Sequence, residues 1–203
     1  MSFRQNIFEQ FEKPEGLLGK LAGKIMSSEN KELNEWTISA LQPGAGDRLL
    51  EVGYGPGVGI EFVCSSYPSC HIVGYDVSHV MKKQAESRND SFIKEGRVEL
   101  FEGPITSADK HTPKFDGVYT VNSIFIWNDP IGDLKKIKSL MKEQARIAVT
   151  LQPHEKGADD DTTKEIGRII SLYLKEAGFS HISASVKNMR PVDAVIVTAA
   201  KPV

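Results

Sequence analysis

Up to residue 42 the apolar positions recur at helical spacing. Leu17, Leu21 and Ile25 lie four apart, with Leu18 and Ala22 on an adjacent stripe. Glycines 16, 19 and 23 weaken that helix and suit a segment that packs closely or moves. A second helical stretch, KELNEWTISAL, groups Leu33, Trp36 and Ala40 and stops at Pro43-Gly44. The pattern then changes. Short apolar runs (RLLEVG, HIVGYD, RVELF, FDGVYTVNS, ARIAVTLQ) read as strands, with helical segments between most of them. Ser78 can cap the helix that runs to about Asn89, and Asp129-Pro130 opens another through Ile131, Leu134, Ile137 and Met141. The last helix carries Ile166, Ile169, Ile170, Tyr173, Leu174 and Ala177 on one face. Thr162 with Glu165 suits a capping box at its start, and Gly178 supplies its stop.

Two more strand candidates, HISASVKN and VDAVIVTAA, end the chain with no helix between them. Seven strands in this order predict a doubly wound, Rossmann-like α/β sheet, mostly parallel, with an antiparallel pair at one edge. Residues 1–42 are expected as a helical lid and residues 43–203 as the ligand-binding domain. The 203 residues suffice for a core without metal or disulfide support.

A formal net charge of −2 offers nucleic acid and anionic membranes no general attraction. Cys64 and Cys70 read as buried thiols in a reducing compartment. Without an N-terminal apolar core or a long apolar run, the expectation is a cytoplasmic protein. No His/Cys/Asp cluster has metal-ligand spacing.

Residues 49–59, LLEVGYGPGVG, carry the chemistry. A Walker loop would end in Gly-Lys-Ser/Thr, but Gly59 is followed by Ile60 and Glu61. A dinucleotide turn would read G-x-G-x-x-G, yet its sixth position is Val58 counted from Gly53 and Ile60 counted from Gly55. Glu51 would also aim a negative charge at the pyrophosphate. A ligand with positive charge and no phosphate removes both conflicts. S-adenosylmethionine, with an α-ammonium and a sulfonium, is such a ligand. Gly53, Gly55 and Gly57 let the backbone approach it, and Asp76, ending the second strand, suits the ribose hydroxyls.

The stretch Glu51-Val-Gly53-Tyr-Gly55-Pro-Gly57, followed by Asp76, resembles the motif of class I S-adenosylmethionine-dependent methyltransferases. The likeness is nearest to the small bacterial type-11, menaquinone/ubiquinone-methylase-like group, and covers about residues 45–200. It implies a cofactor site at Glu51, Gly53, Tyr54, Gly55, Gly57, Asp76 and Val77, with the methionine end or the acceptor at Asn122. One departure stands out. The Asp that often follows the third strand and receives the adenine amino group is missing from Glu102-Gly103-Pro104-Ile105-Thr106. Adenine is then expected to depend on backbone groups near Pro104 and Ile105, a side chain such as Thr106 or Ser107, and apolar contact from Val77. A cofactor-binding module without transfer activity is the alternative that this departure leaves open.

Strand ends four and five bear on the acceptor. Val121-Asn122-Ser123-Ile124 lacks the prolines of amino-methylating nucleic acid enzymes, and neither cysteine follows a proline, which argues against nucleic acid and leaves a nucleic-acid or protein methyltransferase as a minor alternative. Phe125 and Ile126 read as core, while Trp127 suits pocket wall and surface packing equally. His154, in TLQPHEK, is the expected general base, because imidazole titrates near pH 6.5. His79 is expected near the adenosine, and His71, His111 and His181 in structural roles. No Tyr-x-x-x-Lys of a short-chain reductase is present around Tyr173. The apolar face of residues 17–25 suits a lid and a transient contact at a membrane edge. The expected partner is a small, partly apolar molecule methylated on O, N or C.

Overall fold

The computed structural model describes residues 31–109, 113–153 and 158–203. The apolar repeat at residues 17–25, His111 and His154 therefore lie outside the described residues. The helices are α1 (Lys31–Leu41), α2 (Val58–Ser66), α3 (His79–Arg88), α4 (Asp90–Lys94), α5 (Pro130–Leu140) and α6 (Asp160–Glu176). The strands are β1 (Arg48–Val52), β2 (His71–Asp76), β3 (Val98–Glu102), β4 (Phe115–Val121), β5 (Met141–Leu151), β6 (Ser180–Lys187) and β7 (Ala194–Ala200). They form one sheet in the order β3-β2-β1-β4-β5-β7-β6. All neighbours are parallel except β5–β7 and β6–β7. The antiparallel pair thus lies at one edge, as the missing helix between the last two strands predicts.

Strand alternation divides the core into two layers. Leu49, Ile72, Tyr119 and Ala148 point to the face covered by α1 and α2, with Ile38, Ile60 and Val63. Leu50, Val73, Val118 and Ile147 point to the other face, against Leu134, Ile137, Ile166 and Ile170 of α5 and α6. Glu51 shares the first face because it follows Leu49 by two residues. This parity places a carboxyl group between the sheet and two helices.

The caps follow local chemistry. Ser78 accepts from Met81 N at the start of α3, and Asp129 accepts from Gly132 N before Pro130 at N1 of α5. The box at the start of α6 differs from the Thr162–Glu165 pair that the sequence suggests. Asp159 is the N-cap, and Thr162 closes the box on it. Asp159 satisfies the first orphan amides three residues earlier than Thr162 could have done. In α1 the buried stripe is Leu33, Asn34, Thr37, Ile38 and Leu41, rather than Leu33, Trp36 and Ala40. Trp36 is half-buried, and the Lys187 ammonium lies 5.7 Å from its ring centroid. Cys64 and Cys70 are buried free thiols. Burial pushes the Cys64 thiol up to about 11.

Candidate active site

The strand order reverses between β1 and β4, where a doubly wound sheet opens a crevice at its carboxyl end. A cleft of about 490 Å³ lies there. One wall is the glycine turn after β1 together with Asp76, Val77 and Met81; the other is Val121, Asn122 and Ile126. Asn34 of α1 closes the end beside Glu51.

The turn is left-handed at all three expected glycines, with φ of 76° at Gly53, 51° at Gly55 and 82° at Gly57. At Gly53 a Cβ would also meet the Ser123 Cβ at 2.5 Å. At Gly57 it would meet the Asn89 Nδ2 at 2.5 Å. The turn and the start of β4's exit loop therefore touch without room for another carbon. The amides of the three glycines are all used: Gly53 N donates to Tyr75 O, Gly57 N to Tyr54 O, and Gly55 N to Asp76 Oδ2 at 2.8 Å.

Asp76 accepts from Ser78 N through its other oxygen, also at 2.8 Å. Each carboxylate oxygen has two acceptor sites, so both retain one toward the cleft. Glu51 is 2% exposed and accepts from the Tyr119 hydroxyl at 2.9 Å. Among the described residues no cationic side chain pairs with it. Burial pushes its carboxyl up to about 8; the Tyr119 hydrogen bond offsets part of this, and the nearby Asp76 charge adds to it. The carboxyl of Glu51 and the Asn34 side-chain oxygen converge over Gly59, where a Cβ would come within 3.0 Å of three of their oxygens.

Asn122 is a buried non-glycine residue with φ of 54°. Its Oδ1 accepts from Gln152 N at 2.9 Å. Its Nδ2 has no partner among the described residues and belongs to the cleft wall. Ser123 donates to Val52 O at 2.9 Å and shares a short hydrogen bond with Thr120. Gln152 continues the network outward, from its Nε2 to Arg190 O at 3.2 Å and Val192 O at 2.7 Å.

The expected residues do not all meet in the cleft. Glu51, Gly53, Tyr54, Gly55, Asp76, Val77 and Asn122 line it, and Gly57 ends the turn beneath it. Tyr54 is buried with its ring on Gly74, and its hydroxyl donates to Phe101 O at 3.2 Å. Pro104 and Ile105 stand away from the wall. Ile105 is 2% exposed in the core, because the short 3₁₀ turn Ile105–Ser107 directs it inward. Ser107 turns back onto Pro104 O. Ile126, which reads as core, is 42% exposed on the cleft rim. Phe125 packs edge-on against Tyr173, and Trp127 packs against the core. His79 pairs with Glu102 at 2.8 Å. Sequence reasoning overlooks Asn34, although a polar residue on the stripe with Ile38 and Leu41 is a legible signal.

Among the described residues no helix is long and apolar enough to cross a membrane, and no group of three or more His, Cys, Asp or Glu could hold a metal ion.

Residues 49–144 match the model of a methyltransferase domain. An uncharacterized methyltransferase of Bacillus subtilis (strain 168), YdaC, is 38% identical over 182 residues, 90% of this chain and 98% of that protein. The chain belongs to the class I S-adenosylmethionine-dependent methyltransferases. A SAM-dependent methyltransferase from Aquifex aeolicus shares the fold with a TM-score of 0.68 at 18% identity, over 92% of this chain and 100% of that one. Haemonchus contortus phosphoethanolamine N-methyltransferase 2, in complex with S-adenosyl-L-methionine, also scores 0.68, at 16% identity. That match spans all of this chain and 60% of the other. This methyltransferase takes S-adenosylmethionine as its cofactor, and the cleft suits it in size and charge. Sites for small ligands run to about 300–1,000 Å³. A buried carboxyl group without a cation, beside a second carboxylate with spare acceptor sites, fits a ligand with an ammonium and two hydroxyls.

Proposed function

We propose that this methyltransferase acts on a small, partly apolar acceptor, with the cofactor over the glycine turn and the acceptor beside Asn122 and Ile126. The observation that carries this reading is the composition of the cleft: two carboxylates on the β1–β2 side, and an apolar rim of Val77 and Ile126 across the opening. In this reading Asp76 receives the ribose hydroxyls, Val77 covers the base and Glu51 meets the α-ammonium. Gly53, Gly55 and Gly57 admit the ligand close to the backbone. Met81 lines the cleft beside Val77 and adds to the apolar contact with the base.

When bound, the cofactor supplies an electrophilic methyl group on a sulfonium. The residues of this chain align the partners and exclude water. Asn122 Nδ2 presents a hydrogen-bond donor at the transfer end. Its Oδ1 accepts from Gln152 N, which fixes the orientation of the amide. His154, three residues beyond the end of β5, is the proposed base wherever the attacking atom carries a proton. The part of residues 1–42 that precedes α1 is proposed as the lid, in a cytoplasmic enzyme.

Calorimetric titration with S-adenosylmethionine and S-adenosylhomocysteine, with Asp76→Ala in parallel, tests the placement. Micromolar binding that Asp76→Ala weakens at least tenfold is expected. Equal binding by both proteins contradicts the role given to Asp76. Turnover of small apolar alcohols, phenols and amines by the wild type then identifies the acceptor class.

A further inference from the structure

Three backbone atoms of the glycine turn are held by groups from one neighbouring unit, β2 and α3. Asp76 accepts from Gly55 N. Arg88 Nε donates to Pro56 O at 3.0 Å, and its Nη1 reaches Glu61 Oε2, in the first turn of α2, at 3.2 Å. Asn89 Nδ2 donates to Gly57 O at 3.1 Å and to Ala85 O at 3.0 Å. The same Gly57 carbonyl also accepts from Glu61 N at 3.0 Å. We infer that Arg88 and Asn89 are positioning residues that fix the glycine turn in its ligand-ready shape, and so set the affinity for S-adenosylmethionine without touching it.

Two features distinguish this from ordinary structural bonding. A turn with three left-handed glycines has much conformational freedom to lose. Unless it is ordered beforehand, that loss falls on the binding step and weakens affinity. The second feature is Asn89. It is fully buried, yet its Oδ1 has no hydrogen-bond partner, an arrangement that destabilises a fold. An apolar side chain of similar size would avoid that cost but would lose the bond to Gly57 O. The position therefore serves the turn at the expense of the core. Arg88 acts from the surface side and ties the turn to the first turn of α2, so the two residues hold consecutive carbonyls from two directions.

This inference rests on the cofactor placement proposed above, and the test separates the two. Arg88→Met and Arg88→Lys are compared with wild type in the full chain by titration with S-adenosylmethionine and by amide hydrogen exchange without ligand. Arg88 is partly exposed, so both variants are expected to fold with little change in melting temperature. Arg88→Met should bind about tenfold more weakly. Its amides at Gly53, Gly55 and Gly57 should exchange at least several-fold faster, while those of β4 and β5 stay unchanged. Arg88→Lys keeps the charge near Glu61 but lacks the two-pronged donor, and should remain weakened. Wild-type affinity and exchange in Arg88→Met would overturn the inference, as would full rescue by lysine or faster exchange spread across the whole sheet. A wild type that takes up no cofactor sinks the placement beneath it, while the exchange comparison still decides whether Arg88 orders the turn.

Discussion

Tyr119 donates its hydroxyl to Glu51 over 2.9 Å, and the two residues are also register partners on β4 and β1. A hydrogen bond to a carboxylate ordinarily keeps it ionised. Here burial outweighs that bond and raises the carboxyl from 4.5 to about 8. Near pH 7 the folded chain thus holds a proton on Glu51 that the unfolded chain releases. Between about pH 4.5 and about 8 folding takes up this proton, so stability falls as pH rises through that window and levels off above it. Glu51→Gln removes the titration. Urea midpoints at pH 5 and pH 8 are expected to drop more for wild type than for the glutamine variant, and equal drops would contradict the assignment.

The same carboxyl group couples protonation to the ligand. A cationic ammonium beside Glu51 lowers its pKa, so binding near pH 7 is expected to release close to one proton. Titrations with S-adenosylmethionine in two buffers of different ionisation enthalpy measure that number directly. Glu51→Gln should release none; proton release equal to that of wild type would assign the proton to another group.

Gly53 admits no side chain. A Cβ there would stand 2.5 Å from the Ser123 Cβ on a backbone with φ of 76°. Gly53→Ala combines strain and clash, at a cost of about 1–3 kcal/mol from the backbone alone. Adding Ser123→Gly removes the clash but leaves the backbone strain. Denaturation should show the double variant recovering part of the loss. A double variant less stable than Gly53→Ala would place the cost elsewhere.

Asn122 combines a left-handed backbone with an acceptor for Gln152 N. Asn122→Gly relieves the backbone and loses only the side-chain bond. Asn122→Ala loses the bond and keeps an unfavourable φ, which costs about 1–2 kcal/mol for a residue with a Cβ. The alanine variant should therefore unfold at lower urea than the glycine variant, and the reverse order would show that the backbone relaxes.

The sheet, its edge hairpin and most caps are legible in the sequence because each depends on local spacing or on one residue type. Ser78 and Pro130 act through neighbours within four residues, and the glycines 53, 55 and 57 announce their own backbone. Asp159 loses to Thr162 in a reading by motif because both are acceptable caps, and the geometry of the preceding loop chooses between them. Ile126 is apolar and reads as core; only the reversal of strand order at β4 shows that its side chain faces an opening. The Ile105 side chain turns inward for a similar reason, since the 3₁₀ turn after β3 buries it. Asn34, Arg88 and Asn89 act on the cleft and its glycine turn from helices distant in sequence or across a turn. A spacing rule within one segment marks Asn34 as buried but reports none of the contacts that these three residues make.

The two walls of the cleft come from separate stretches of chain, residues 51–84 and residues 121–126, and β1 meets β4 through three register pairs. Two of those pairs, Leu49 with Gly117 and Leu50 with Val118, carry no polar side chain, and the polar couplings across the seam include Tyr119 with Glu51 and Ser123 with Val52 O. The loop after β4 can therefore be exchanged for that of a relative with little disturbance to the first wall, provided that the hydroxyl at 119 and the small residue facing Gly53 are retained. Those two positions mark where the boundary of such a graft falls.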